Sequence, residues 1–485
     1  MTASGVKYRQ DAATRPLRSY PAAFLPRQAG GERELGGRPP QARGGEVEGP
    51  LGSDRRHGAR RGRLSYWLVL LFLALLYSNA ALLVPALEAV RPAQAVALLA
   101  LVVLAVELVV AERAFRLVWP ESYLLLGFVA AAALSVAGAL WPGYAAEQLA
   151  DLAKMAAVSL LVLNVATDLG RLRGIATVMV VGGLFPALGT LQHYATGQLV
   201  EGSRAGWIGI FENPNELAYS LVILLPLALY LARDGSLPRR AALYGVAAIY
   251  LPAIFVTFSR GGLLALAVVI GLSVLRSRKL SVWVLAVAGG IVCLAFADRL
   301  WTRDEGFSGL RADTTVQERL WTIRVGLEMF ADRPLTGVGL GCSMLGWPLY
   351  APADAPSNGW LHSHNTLVQA LAETGLAGFV PFAGMLAAAL VGTGRLARRG
   401  RAGGERAGLG GVGGVGGVGG GRNAHLIAPL AFALHASLWG FLACGLAGGF
   451  VLSWFPYLLI ALVAATRAVS RQPQPEPAAD RGVHE

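Results

Sequence analysis

The feature that most constrains this chain is the length of its apolar runs. Stretches such as WLVLLFLALLYSNAALLV (67–84) recur from Tyr66 to about Thr466. At about 1.5 Å per residue, runs of roughly 17–22 residues cover the ~30 Å hydrocarbon core of a bilayer. A backbone in hydrocarbon has no water to satisfy its N–H and C=O groups, so runs of this length must be helices. The composition agrees, since 54% of residues are hydrophobic and 15% are charged, against about 25% charged in soluble domains. The fold class is all-α, a polytopic membrane protein.

Twelve spans are expected, at about 65–82, 94–111, 122–141, 152–168, 174–192, 215–232, 241–258, 262–276, 281–297, 364–394, 424–445 and 447–466. The run 364–394 is too long for one straight span, so its start is expected to lie outside the hydrocarbon. Ser259-Arg260-Gly261-Gly262 must form a very tight turn between two spans. Residues 1–64 are rich in Arg, Gly and Pro without apolar periodicity, and read as a disordered basic cytoplasmic tail rather than a signal peptide. The transmembrane domain is expected over 65–467, with one large external loop at 298–363, a flexible Gly-rich cytoplasmic linker at 400–423, and a cytoplasmic tail at 468–485.

The net charge of +12 suggests nucleic acid in a soluble protein. In a polytopic chain it sets orientation instead, because cytoplasmic segments carry the Lys/Arg excess. With the N-terminus inside, 32 of the 42 Lys and Arg residues fall on cytoplasmic segments and 10 outside. Both termini are therefore expected in the cytoplasm, with the lipid bilayer and no nucleic acid as partner. Cys293, Cys342 and Cys444 have neither CxxC nor zinc-type spacing, and Cys293 and Cys444 read as small packing residues.

This orientation puts three polar stretches on the outer face: RAGWIGIFENPNELA (204–218), FSRGGLLAL (258–266) and HSHNTLVQ (362–369). Each has a bland reading. Arg260 can snorkel to headgroups, Asn215 can cap a helix with Glu216 at its positive end, and His362 and His364 can be interface residues. Together they say more. Two guanidiniums, Arg204 and Arg260, can fork phosphate oxygens. Helix N-termini near Asn215 and His364 add oriented N–H groups, and a histidine beside them can take a proton near neutral pH. That chemistry suits a lipid-linked pyrophosphate leaving group displaced by a hydroxyl.

Four ordered stretches carry a resemblance to a known family. They are GWIGIFENPNELAYSLVILLPLAL (206–229), TFSRGGLLALAV (257–268), ERLWTIRVGLEMFADRPLTGVGLG (318–341) and HNTLVQALAETGLAG (364–378). Over about 180–395 the chain resembles the O-antigen ligase and O-antigen polymerase superfamily. The resemblance implies a fold like class-C glycosyltransferases and an undecaprenyl-pyrophosphate-linked glycan as donor. It also implies a glycan or lipid-linked sugar as acceptor, inverting transfer, and neither metal nor cofactor. It makes His364 the catalytic base and Arg204 and Arg260 the donor-binding arginines. Asn215 and Asn365 join the substrate-binding set, and His362, outside the motif, is auxiliary. The His-Asn, nine residues, Gly spacing favours a ligase over an exopolysaccharide polymerase. A bicarbonate-like solute transporter is the alternative from a different class. It would place ionisable residues or broken helices near mid-membrane, whereas the polar residues here gather at the outer rim and Glu107 lies towards the inner end of its span.

Overall fold

The computed structural model describes residues 63–472 except 201–202, 278–279, 281–283, 285–313, 354, 356–359 and 409–420. Most of the expected tails, nearly all of the expected span 281–297, Cys293, the first part of the external loop and the Gly/Val repeat lie outside the described residues.

The described residues are helical and contain no strand. Leaving aside the four-residue turns Ala80–Leu83 and Pro85–Glu88, the helices in chain order are α1 (Arg63–Ser78), α2 (Pro92–Val110), α3 (Glu121–Ala137), α4 (Pro142–Val165), α5 (Leu169–Gly182) and α6 (Leu184–Ala195). They continue with α7 (Pro214–Leu231), α8 (Leu237–Val256), α9 (Arg260–Arg276), α10 (Thr314–Asp332), α11 (Ser343–Tyr350), α12 (Thr366–Gly408), α13 (Gly421–Gly445) and α14 (Trp454–Ser470). Seven helices among the described residues are long and apolar enough to cross a membrane, and three shorter apolar ones accompany them. Twelve had been expected from the sequence. One reason for the lower number is that some runs stop early. α1 ends at Ser78 because Asn79 turns left-handed (φ 45°) and donates its side-chain N–H to Ile208 O at 3.0 Å. Part of the expected 400–423 linker also proves regular, since α12 continues to Gly408 and α13 starts at Gly421.

α7 and α14 form the centre, with residues such as Tyr219, Leu224, Tyr457 and Val463 buried on every side. α2 is peripheral and exposes Leu98, Val102, Val106 and Val109, as a lipid-facing helix does. Apolar packing alone gives helices in lipid little reason to choose partners, so polar ties and small residues do the sorting. Ser437 Oγ donates to Ile223 O at 2.6 Å between α13 and α7, and Arg467 of α14 pairs with the fully buried Glu121 of α3. At Gly440 of α13 a Cβ would press on Val269 Cγ2 (2.9 Å) and Val222 Cγ1 (3.1 Å), so glycine sets that three-helix approach. Cys444, which reads as a packing residue from sequence, is buried with Sγ 3.7 Å from Gly261 O.

The long run 364–394 is helical from Thr366 but is broken at Gly375 (φ 58°, ψ −162°). The segment Pro334–Gly339 enters the break. Leu376 N donates to Pro334 O (2.8 Å) and Ala377 N to Leu335 O (3.1 Å), while Val338 N and Gly339 N reach Ala372 O (2.9 Å) and Glu373 O (3.0 Å). Four backbone groups beside the break, the N–H of Leu376 and Ala377 and the C=O of Ala372 and Glu373, thus find partners in that segment, as burial away from water requires. The same segment receives Leu140 N on Val338 O at 2.9 Å. Around it α10 and α11 build a small second core from Val325, Met329, Val338, Cys342, Trp347 and Ala372.

Gly375 is where a substitution should be felt. A Cβ there would overlap the Leu335 carbonyl and lie 2.6 Å from Thr336 N, at a positive φ. Gly375→Ala is expected to cost about 2 kcal/mol or more, from backbone strain and displaced backbone contacts. Gly143→Ala, with nothing within 4 Å of its Cβ, should leave thermal unfolding in detergent unchanged. Equal melting temperatures for the two variants would contradict this account of the break.

Candidate functional site

At one end of the bundle the chain turns between α8 and α9. The tight turn is Thr257-Phe258-Ser259, not Ser259–Gly262 as the glycines suggest, because α9 already begins at Arg260. Phe258 takes the left-handed conformation (φ 46°), and Ser259 caps α9 by accepting from Gly262 N at 3.2 Å. The two glycines serve close packing instead. A Cβ at Gly262 would lie 2.6 Å from Ala218 Cβ of α7, and one at Gly261 would lie 2.8 Å from Ala447 Cβ.

Arg204 is buried beside this turn, 6% exposed. Its Nε donates to Thr257 O at 3.0 Å and its Nη2 to Asn215 Oδ1 at 2.7 Å. Ser259 Oγ donates to the same Asn215 oxygen at 2.8 Å. Backbone bonds hold the strand-like approach, with Ala205 N on Val256 O at 3.0 Å and Arg204 paired to Val200 in both directions. The structure therefore joins Arg204, Asn215 and Ser259 directly, and Arg260 follows Ser259 as the first residue of α9, half-buried.

Two expected caps change hands. Asn215 does not cap α7. Asn213 does, accepting from Asn215 N at 2.8 Å with Pro214 as the first helical residue. Proline suits that position because its missing N–H has no partner to lose. Asn215 is freed to bind Arg204, and Glu216 stays in the first turn. On the other side, His364 does not open α12. Asn365 caps it, its Oδ1 accepting from Leu367 N (3.0 Å) and Val368 N (3.1 Å). His364, half-buried, immediately precedes the cap, and His362 is exposed two residues earlier.

The route from the arginines to His364 runs through residues 444–451. Gly261 packs on Ala447. Thr366 Oγ1 donates to Gly448 O at 2.7 Å and accepts from Phe450 N at 3.1 Å, and Gln369 Oε1 accepts from Val451 N at 3.2 Å. Phe450 in turn packs on Tyr219 of α7 with ring centroids 4.2 Å apart. Gln369 also donates to Glu373 Oε1 at 3.2 Å, and Ser343 Oγ donates to that oxygen at 2.6 Å. The start of α12 is thus held from both sides, by the α13–α14 connection and by α11.

Sequence reasoning missed Ser259 and Thr257, which orient Arg204 and Asn215, and the buried Glu373. It also missed His193, at the end of α6, whose Nδ1 lies 3.0 Å from Gly206 O. Its place between the apolar run 174–192 and Arg204 was the available signal. Among the described residues no three His, Cys, Asp or Glu side chains gather as metal ligands.

Asn215→Ala removes the acceptor of both Arg204 and Ser259, one of them charged. A loss of about 1.5–3 kcal/mol is expected, the scale of a hydrogen bond to a charged group. Asn213→Ala should cost about 1 kcal/mol as a lost cap. Thermal unfolding in detergent would rank them, and a milder effect at Asn215 would argue against the cluster.

Residues 245–383 match the family model described as O-Antigen ligase. The match contains Arg260, His362, His364, Asn365 and the break at Gly375, while Arg204 and Asn215 precede it. A search of the curated proteins gives no match.

Proposed function

On the premise that this chain is a member of the O-antigen ligase superfamily, supported by residues 245–383, we propose that it transfers a polyprenyl-pyrophosphate-linked glycan to an acceptor sugar at the outer face of the inner membrane. The family match supports surface-glycan assembly of the ligase or polymerase type. It lends nothing to the solute-transporter reading. The observation that carries our reading is the gathering of Arg204, Asn215, Ser259 and Arg260 at the same end of the bundle as His364 and the capped start of α12.

In this mechanism the two guanidiniums take the donor's pyrophosphate oxygens. Arg204 is pre-set by Thr257 and Asn215, so little side-chain freedom is lost on binding. The acceptor hydroxyl oxygen attacks the anomeric carbon from the face opposite the leaving group and forms the new glycosidic bond. The old bond to the pyrophosphate oxygen breaks, and its electron pair departs with undecaprenyl pyrophosphate. His364 receives the hydroxyl proton, and the anomeric centre inverts. The arginines neutralise the leaving charge, so no metal is required. The His-Asn…Gly spacing favours a ligase, and a polymerase is the second reading.

His364→Ala is expected to lower turnover by roughly 10²–10⁴-fold, the range for loss of a general base, with donor binding largely kept. Arg260→Lys should still impair transfer because an ammonium keeps the charge and loses the fork. His362→Ala should be mild, and excess chelator should leave the wild-type rate unchanged. Near-normal transfer by His364→Ala beside a crippled His362→Ala would move the base two residues upstream. Transfer abolished by chelator and restored by magnesium would remove the arginine-only account.

The orientation is testable separately. Reporter fusions at Arg239 should score cytoplasmic and those at Arg204 external, as the Lys/Arg distribution requires. The opposite result would put His364 in the wrong compartment.

A further inference from the structure

The other end of the bundle carries a second polar construction that the transfer reaction does not use. It lies a full helix length from the site, since α1 runs from Ser65 there to Ser78, next to Asn79 on Ile208 O, and α4 runs from Pro142, after Trp141 whose O meets Cys342 of the second core, to Asn164. Here α1, α2, α4 and the turn 111–120 enclose a cavity of about 50 Å³ lined by Ser65, Glu107, Arg113, Arg116, Asn164 and Arg171.

Its walls are built. Asn164 holds the turn by accepting from Arg116 N at 2.7 Å and donating to Arg116 O at 3.1 Å. Glu107 is occupied by Ser65, whose N and Oγ donate to it at 3.3 and 2.5 Å. Arg171 is partly committed, with Nη1 on Val165 O at 3.1 Å, Nε 3.5 Å from Asp168, and its guanidinium 5.3 Å from the Tyr66 ring centroid. Arg113 and Arg116 have no such compensation. Among the described residues neither forms an ion pair, and Arg116 Nη1 is buried without a hydrogen-bond partner. Burial and the adjacent Arg113 charge push Arg116 below its ordinary value.

A buried, unpartnered guanidinium N–H is costly, and two neighbouring cations add repulsion. One anion between them relieves both. The space suits a small oxyanion, since about 10–15 Å³ of such volume holds one water. Depth identifies the setting. Trp67, Phe115 and Trp119, near the start of α1 and on the 111–120 turn, are exposed, as aromatics at a membrane–water interface are. Basic pockets between helices at that level take lipid phosphates.

We propose that this cavity is a phosphate-binding site for an acidic phospholipid headgroup in the leaflet opposite the transfer site. Arg113 and Arg116 grip the phosphate oxygens, and Arg171 closes the third side. Free phosphate shares this chemistry, so the test separates the two sources.

The full chain would be reconstituted in neutral phosphatidylcholine nanodiscs with increasing phosphatidylglycerol. Thermal unfolding and the lipid retained in native mass spectrometry would be followed. Wild type should be stabilised by, and retain, phosphatidylglycerol. The Arg113→Gln/Arg116→Gln double variant should bind it roughly 30-fold more weakly, for two juxtamembrane cations lost. Arg113→Gln alone, an exposed position that folding tolerates, should show about a fivefold loss. Inorganic phosphate that stabilises wild type equally in neutral lipid, and not the double variant, would keep the site and remove the lipid as its occupant. Phosphatidylglycerol retention unchanged in either variant would overturn the proposal.

Discussion

A helix that breaks where a membrane helix should run must find partners for the groups it releases, and this requirement shapes the end of the molecule that carries His364. At Gly375 the partners come from Pro334–Gly339, which supplies two carbonyls and two N–H groups to the broken turn. Gly337 and Gly375 bring the two backbones so close that no Cβ fits at either position. One contact therefore does three things. It ends the regular part of α12, it fixes the segment that carries α11 and the second core, and it leaves Thr366–Thr374 as a short capped helix. His364 stands just ahead of the Asn365 cap of that short helix.

The two ends of the bundle handle charge in different ways. At the Arg204 end, polar groups are matched to one another. A backbone carbonyl and a side-chain amide take up Arg204, and the same amide oxygen takes Ser259. Such a guanidinium is oriented before any ligand arrives, which is how a binding group saves ordering entropy. At the other end, Glu107 is matched to Ser65 while Arg116 keeps a buried Nη1 without a partner. A matched cluster implies a pre-set geometry. An unmatched one leaves a buried donor open to an added partner.

Helices and their approximate limits were legible because hydrophobic length is a local property. The runs read as 94–111 and 241–258 fall on Pro92–Val110 and Leu237–Val256, within a few residues. Caps were less legible. In NPNE, either asparagine satisfies the capping chemistry. Only the approach of Arg204 and Ser259 to Asn215 decided that Asn213 would cap. The same applies to SRGG, where the turn moved upstream because Phe258 accepted the left-handed conformation and left both glycines for packing against Ala218 and Ala447. Ser259, His193 and Glu373 went unnoticed because their significance depends on neighbours 13–44 residues away in sequence, as with His193 and Gly206, Glu373 and Ser343, or Ser259 and Asn215.

The sequence by itself determined the solvent this protein folds in, its helical class and the set of polar residues spared from the apolar runs. These follow from composition and periodicity, which no partner is needed to read. Tertiary structure alone decided which of those polar residues meet. Arg204 reaches Asn215 across 11 positions and Thr257 across 53, and Pro334 meets Leu376 across a helix break. Such contacts form because buried hydrogen-bonding groups must pair somewhere, and the choice of partner is made by packing rather than by the local order of residues.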